Sequence, residues 1–293
     1  MRKTAVFFFA ALALWGAGAL GKPAAAFNAA SYNMYFLFHE PDHRMYSREM
    51  IERWEDRKDK LLPLLKFHQI DVCGTQELRE KQLEYFFPDA DYDYVIAPPD
   101  YSPNKKLMNN AIIFRRDRFE LLESGVFQLH HETKWRHCVW AKFKDKLSGA
   151  RFYFFNSHFP TSKEKKNGAS IAANILAQKA GEIAGGTPFI STGDYNSRED
   201  TEAIKTLKAA GFADAKELSK TPPYGTNFTY NKFSVFPPKN VSKDGKCHID
   251  FIFCSEGGFE VLKFGTLNDN CGNVPPSDHF PIMARLKIRG AKK

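Results

Sequence analysis

Six short apolar runs in this chain each end on, or open with, a side chain that can bind a metal or move a proton. Asn33 follows AASY, Gln76 and Glu77 follow DVCGT, and Asn156 and His158 follow FYFF. Asp194 and Asn196 follow PFISTG, Asp250 lies in HIDFIF, and Asp278 with His279 precedes PIMARL. Runs of four to eight apolar, β-branched and aromatic residues read as buried strands. In sheets interleaved with helices, ligands gather at strand ends. The chain is therefore constrained to a sheet core whose strand ends can share one polar site.

The rest of the pattern supports this. The strand FNAASYNM is followed by an amphipathic stretch from Ser47 to His68, where Met50, Ile51, Trp54, Leu61, Leu62, Leu64 and Leu65 suggest one apolar helical face and Pro63 a kink. IDVCGTQ reads as a strand, and Leu78 to Phe87 as a short helix. Strands are expected at Tyr92–Ala97, Ala111–Phe114, Phe119–Phe127, Cys138–Phe143 and Phe152–Asn156, with short turns that suit antiparallel pairing. Helices at Ala169–Ala184 and Glu199–Ala210 flank PFIST. Ser219–Lys246 reads as a long loop, and HIDFIF, Phe259–Leu267 and PIMARLKI close the chain. No repeat or internal boundary interrupts residues 27–293, so one α/β domain is expected, mixed sheets covered by helices.

Residues 1–26 read as an export signal. Arg2 and Lys3 precede an apolar segment from Ala5 to Leu20, and Ala24-Ala25-Ala26 is an A-x-A cleavage site. Gly16, Gly18 and Gly21 break that segment, which falls short of the ~20 residues of a membrane span. A soluble, monomeric protein without stable membrane insertion, periplasmic or secreted, is the expectation. The net charge is +8, and +5 without Arg2, Lys3 and Lys22, a balance that favours polyanionic partners. Among the five cysteines there is no C-x-x-C and no zinc spacing. Cys73 and Cys138 read as buried hydrophobes, and Cys247 as a partner for Cys254 or Cys271 after export.

Carboxylates and asparagines dominate the strand-end set, with two histidines. Hard oxygen donors suit Mg²⁺, with Mn²⁺ as the alternative. An oriented water, charge neutralisation and help for a leaving oxygen are what phosphoester hydrolysis requires. G-x-S-x-G and a Walker loop are absent, and the S-x-x-K match at Ser162–Lys165 is an isolated coincidence in a charged loop. A two-carboxylate glycosidase gives the asparagines and histidines no role.

The ordered series SYNM, W-x-x-R (Trp54 to Arg57), DVCGTQE, NNAIIFRRDRF, NSHFP, STGDYN, HIDFIF and SDHFP resembles the endonuclease/exonuclease/phosphatase superfamily over Ser31 to Leu286. The resemblance implies a four-layer α/β sandwich, two mixed sheets face to face with helices outside. It implies Glu77 as principal metal ligand, helped by Asn33 and Asp278. Asp194 would orient or deprotonate the attacking water, with Asn196 holding water and phosphate. His279, oriented by Asp250, would contact the phosphate, and His158 would be the second histidine. Arg136 and Asn156 would bind substrate. Two departures are visible: Pro160 stands where many members carry aspartate, and His248 where several nucleases carry arginine.

A nuclease of low sequence specificity is the first expectation for substrate. Lys105, Lys106, Lys163, Lys165, Lys166, Lys239, Lys243 and Lys246 lie in expected loops near Tyr101, Trp135, Phe159, Tyr224, Phe228 and Tyr230, and cations with stackable rings suit a nucleic-acid backbone. A lipid, sugar- or inositol-phosphate esterase is the alternative, with Phe233–Pro238 as a tip for a membrane interface. A non-catalytic binder of the same fold comes last.

Overall fold

The strands of this chain alternate strictly between two environments, and that alternation builds the fold. The computed structural model describes residues 25–36, 54–86, 88–98, 101, 109–132, 135–234, 248–269 and 275–289. In chain order the elements are β1 (Phe27–Asn33), α1 (Trp54–Phe67), β2 (Val72–Leu78), α2 (Glu80–Phe86), β3 (Tyr92–Ile96), β4 (Asn109–Arg115), β5 (Phe119–Gln128) and β6 (His137–Asp145). They continue with β7 (Arg151–His158), α3 (Gly168–Ala184), β8 (Phe189–Asp194), α4 (Glu202–Ala209), β9 (Phe212–Asp214), α5 (Ala215–Leu218), β10 (Asp250–Ser255), β11 (Phe259–Thr266) and β12 (Ile282–Ile288).

One sheet has the order β11-β12-β1-β2-β4-β3 and the other β5-β6-β7-β8-β10-β9. Each contains one parallel pair, β1 with β2 and β7 with β8, crossed over by α1 and α3 respectively; the other pairs are antiparallel. Within the parallel pairs Asn33 is in register with Gln76, and His158 with Asp194. The two crossover units thus end their strands at the same level, one in each sheet.

Residues i and i+2 of a strand share a face. Phe27, Ala29, Val72, Phe152, Phe154, Ile190, Ile252 and Cys254 fill the space between the sheets. The alternate residues point outward. Ala30, Tyr32, Cys73 and Ile113 pack under Leu61, Leu64 and Leu65 of α1 and Leu83 and Phe86 of α2. Tyr153, Phe155, Phe251 and Phe253 pack under α3 and α4 through Ala172, Ala173, Leu176, Ile204 and Leu207. The result is the four-layer sandwich. Each fully buried Phe or Leu contributes about 1.5–3 kcal/mol by leaving water. Gly185 ends α3 in the left-handed conformation, its N–H bonded to the Gly181 carbonyl.

Several expectations are refined. The described part of the Ser47–His68 stretch is helical from Trp54, residues 47–53 lie outside the described residues, and Pro63 sits inside α1, which runs on to Phe67. The expected 219–246 loop forms two bridges in its described part, Tyr224 to Gly265 and Tyr230 to His279. β9 and α5 are additions; α5 is only one turn, capped by Asp214 accepting from the Lys216 N–H. Cys254 is a free, buried thiol like Cys73 and Cys138, so it is not the partner expected for Cys247. Cys247, Cys271 and the expected signal, apart from Ala25 and Ala26, lie outside the described residues. Among the described residues no helix is long and apolar enough to cross a membrane.

Candidate active site

At one end of the intersheet space the interior faces turn polar. Continuing the same alternation, β1 places Ser31 and Asn33 inward, β7 Asn156 and His158, β8 Thr192 and Asp194, and β10 Asp250. Asn156 is the hub beneath the site. Its Nδ2 donates to the carbonyls of Thr75 (2.8 Å) and Ala111 (3.0 Å). Its Oδ1 accepts from Gln76 Nε2 (2.7 Å) and Thr192 Oγ1 (3.3 Å). All four hydrogen bonds are made, so this amide couples the two sheets. Gly74 leaves room for it: a Cβ there would meet Thr192 Oγ1 at 2.0 Å and Asn156 Oδ1 at 2.5 Å.

Glu77 reaches the site through a defect in its strand. Thr75 pairs with Ala111 and Leu78 with Asn109, so Gln76 and Glu77 together face Asn110 in a β-bulge. Glu77 has φ 64°, a left-handed conformation that costs a non-glycine residue about 1–2 kcal/mol. This aims its carboxylate at Asn33, whose Nδ2 donates to Glu77 Oε1 and Asp194 Oδ2, 3.1 Å each, while its Oδ1 accepts from the Tyr35 N–H.

Asp194 lies at the centre. Its Oδ2 is 3.5 Å from His158 Nε2 and 3.7 Å from His279 Nε2, and its Oδ1 accepts from the Asn196 N–H (2.9 Å). Asn196 (φ 46°) sends its side-chain amide to the Phe159 carbonyl. His279 Nδ1 is bonded to Asp250 Oδ2 (2.8 Å). Ser277 holds the last strand-end residues in place, donating to the Asn33 carbonyl (2.6 Å) and accepting from the His279 N–H (3.3 Å). Arg57, the arginine of W-x-x-R, is buried and binds the carbonyls of Met34 and Tyr35 at 2.7 Å, tying α1 to the exit of β1.

The two histidines differ in charge. Burial opposes charging of the His279 ring, yet the carboxylates of Asp250, Asp194 and Asp278 outweigh it and raise its pKa well above the ordinary value. Burial and the charges of Arg136 and His279 hold His158 neutral. Burial, with repulsion from Asp250, raises Asp194 to about 6. Burial and the Glu77 charge raise Asp278 to about 7. Glu77 is raised chiefly by burial.

Such crowding fits a divalent cation. Glu77, His158 and Asp194 each offer a donor atom within 4.8 Å of the others. Asp250 and His279 form a second such group with Asp194, but there the imidazole is engaged by Asp250.

The structure therefore gathers Asn33, Glu77, His158, Asp194, Asn196, Asp250, Asp278 and His279 into one cluster. Asn156 lies beneath it, with its amide fully engaged. Arg136 stands beside it, its guanidinium paired with Glu164 (2.7 Å). Tyr230, expected as a stackable ring, has its ring centroid 5.0 Å from that of His279, while Ser277, Thr192 and Glu164 carry no such expectation. Ser277 lies within SDHFP, which could have flagged it. Nothing in the sequence marks the others.

A sandwich of two mixed sheets whose strand ends gather carboxylates, amides and a carboxylate-bound histidine defines a metal-dependent hydrolase of phosphate esters. The chain belongs to the endonuclease/exonuclease/phosphatase family, whose model matches residues 30–279. It is similar to mannosyl-6-phosphatase Bt3783 of Bacteroides thetaiotaomicron VPI-5482, with TM-score 0.76, 28% identity, and coverage of 89% of this chain and 99% of that one. It is 26% identical to protein L388 of Acanthamoeba polyphaga mimivirus, over 86% of this chain and 96% of the relative. It is 21% identical to the 3'-5'-exoribonuclease subunit Ccr4 of the CCR4-Not complex of Aspergillus niger, over 86% of this chain and 50% of the relative. The chain thus spans about half the length of that relative.

Proposed function

We propose that this chain is an exported, Mg²⁺-dependent phosphoesterase that cleaves the ester of a small sugar or polyol phosphate. The observation that carries the chemistry is Asp194, flanked within 3.7 Å by a neutral and a charged histidine and bridged by Asn33 to Glu77. Glu77 and Asp278, with Asn33, would hold the cation, which when bound neutralises phosphate charge. His279, kept charged by Asp250, donates a hydrogen bond to a phosphoryl oxygen and stabilises the charge that grows there. Asp194 takes the proton of the attacking water as its oxygen bonds phosphorus. The phosphorus–oxygen ester bond breaks, and the alcohol leaves with a proton returned from the site. Asn196 and Asn33 fix the carboxylate of Asp194 for this task.

The small-ester reading draws on the likeness to the mannosyl-6-phosphatase and on the rim. Phe159 and Phe228, expected as base-stacking rings, are buried, packed on Tyr195 and Phe280. Lys165 is paired with Glu132 and Arg136 with Glu164. Phe233, expected at a membrane-seeking tip, packs edge-on against Tyr35; residues 235–238 lie outside the described residues.

A nuclease is the second reading, favoured by the likeness to Ccr4 and by exposed Tyr224 and Trp135. The test is phosphate or nucleotide release from hexose 6-phosphates, inositol phosphates, sphingomyelin, DNA and RNA, with Mg²⁺ and with chelator. The proposal expects hexose phosphate to be the best substrate and chelator to abolish turnover. Preferential cleavage of DNA or RNA would replace it with the second reading. Export is tested by N-terminal sequencing of the mature protein, expected to begin at Phe27.

A further inference from the structure

On the His158 side of the site, two neighbouring side chains converge on one carboxylate. Arg136 donates to Glu164 from Nε (3.3 Å to Oε1) and from Nη2 (2.7 Å to Oε2). The Trp135 indole Nε1 donates to Oε1 at 3.4 Å. The Thr161 N–H takes the remaining place on Oε2 (2.7 Å), and Thr161 Oγ1 accepts from the Glu164 N–H (3.2 Å). Four donors saturate the carboxylate, so it acts as a clamp and has no acceptor to spare.

The clamp fixes a ring in water. Trp135 remains 39% exposed, while Arg136 is 5% exposed. The Arg136 charge bears on both Glu77 and His158, which puts the cluster at the edge of the reaction centre. An indole held in one orientation loses little entropy when a ligand packs on its face. Two of the cations at this edge are matched, Arg136 by Glu164 and Lys165 by Glu132. Cations already paired in this way offer a polyanionic backbone less than free ones would. A neutral ring with an apolar C–H face and hydroxyls at its edge gains packing on the indole and donors from the guanidinium N–H groups that Glu164 does not use.

We propose that Trp135, pinned by Glu164 beside Arg136, is a subsite for the uncharged, hydroxyl-bearing ring of the leaving group. This rests on the sugar-phosphate reading and names the residues that select it. Glu164 is a positioning residue, acting through Trp135 and Arg136.

The experiment compares kcat/KM for mannose 6-phosphate, ethyl phosphate and adenosine 5'-phosphate in wild type, Trp135→Ala, Trp135→Phe and Glu164→Gln, with melting curves to show that each folds. Trp135→Ala is expected to lower kcat/KM for the hexose ester about tenfold more than for ethyl phosphate, mainly through KM. Trp135→Phe should restore part of the loss, and Glu164→Gln should fall between. An unchanged ratio of hexose to ethyl ester overturns the subsite while leaving phosphoesterase activity standing. A larger selective loss on adenosine 5'-phosphate overturns it too, by assigning the ring to a base. Wild type that hydrolyses no monoester sinks the sugar-phosphate reading instead. Calorimetry with methyl mannoside then tests the subsite separately: binding lost in Trp135→Ala supports it, and no binding to wild type overturns it.

Discussion

The two ends of the intersheet space share β1 and β7 and are built on opposite principles. At one end Phe27, Phe119, Phe143 and Phe152 pack ring against ring, with centroids 5.3–5.8 Å apart. At the other end the inward positions include Asn33, Asn156, His158, Asp194 and Asp250, held by directed hydrogen bonds such as those of Asn33 to Asp194, Asn156 to Gln76 and Asp250 to His279. Ring packing is adaptable and non-directional, whereas a buried amide or carboxylate is costly unless its partners are in place. Stability therefore resides mainly at the phenylalanine end, and catalysis at the amide end, where the network holds like charges together.

The sharpest test of this division is at the charged residues. Asp194→Ala and His279→Ala are expected to lower kcat about a thousandfold or more while the folded state persists, as steady-state phosphate release and thermal melting would show. Activity that falls only in step with the melting temperature would erase the distinction.

Phe152→Ala should do the reverse, costing about 3–5 kcal/mol in urea unfolding. Turnover per folded molecule should stay near that of wild type. Asn156→Leu falls between, because it strips donors from the Thr75 and Ala111 carbonyls at about 1–3 kcal/mol each. It should lower both stability and kcat; loss of stability alone would mean that the hub does not organise the site.

Acid should attack the amide end through His137 at the start of β6. Burial lowers its pKa from 6.5 to about 4. The folded state keeps this ring neutral, while the unfolded chain takes up its proton below pH 6.5. Its contribution is therefore complete at pH 7 and is lost as pH falls from about 6.5 to about 4, amounting to ~3 kcal/mol at most. His137→Phe should flatten that part of the stability profile, measured by urea unfolding between pH 7 and pH 4. An unchanged slope would exclude His137 as its source.

The amide end was more legible in the sequence than its chemistry suggests. Period-two alternation forces Asn33, His158 and Asp194 inward once their strands are recognised, and residue type then states what they can do. The bulge that aims Glu77 was hidden, because it depends on how Thr75 and Leu78 pair with a strand more than thirty residues away. The Arg136–Glu164 clamp joins segments 28 residues apart and carries no local signature. β9 and α5 are too short for periodicity to register. Residue type marks Phe159 and Phe228 as rings able to stack, but burial decides whether a ring does, and both are buried.

The central claim, that Glu77, Asp194 and their neighbours form one divalent-cation site, is tested most directly by calorimetric titration of metal-free protein with Mn²⁺. Wild type and Asp214→Asn, which alters a buried carboxylate at the end of β9, should bind Mn²⁺ alike, while Glu77→Gln should weaken binding by about tenfold or more. Equal binding by all three proteins, or none by wild type, would contradict the account.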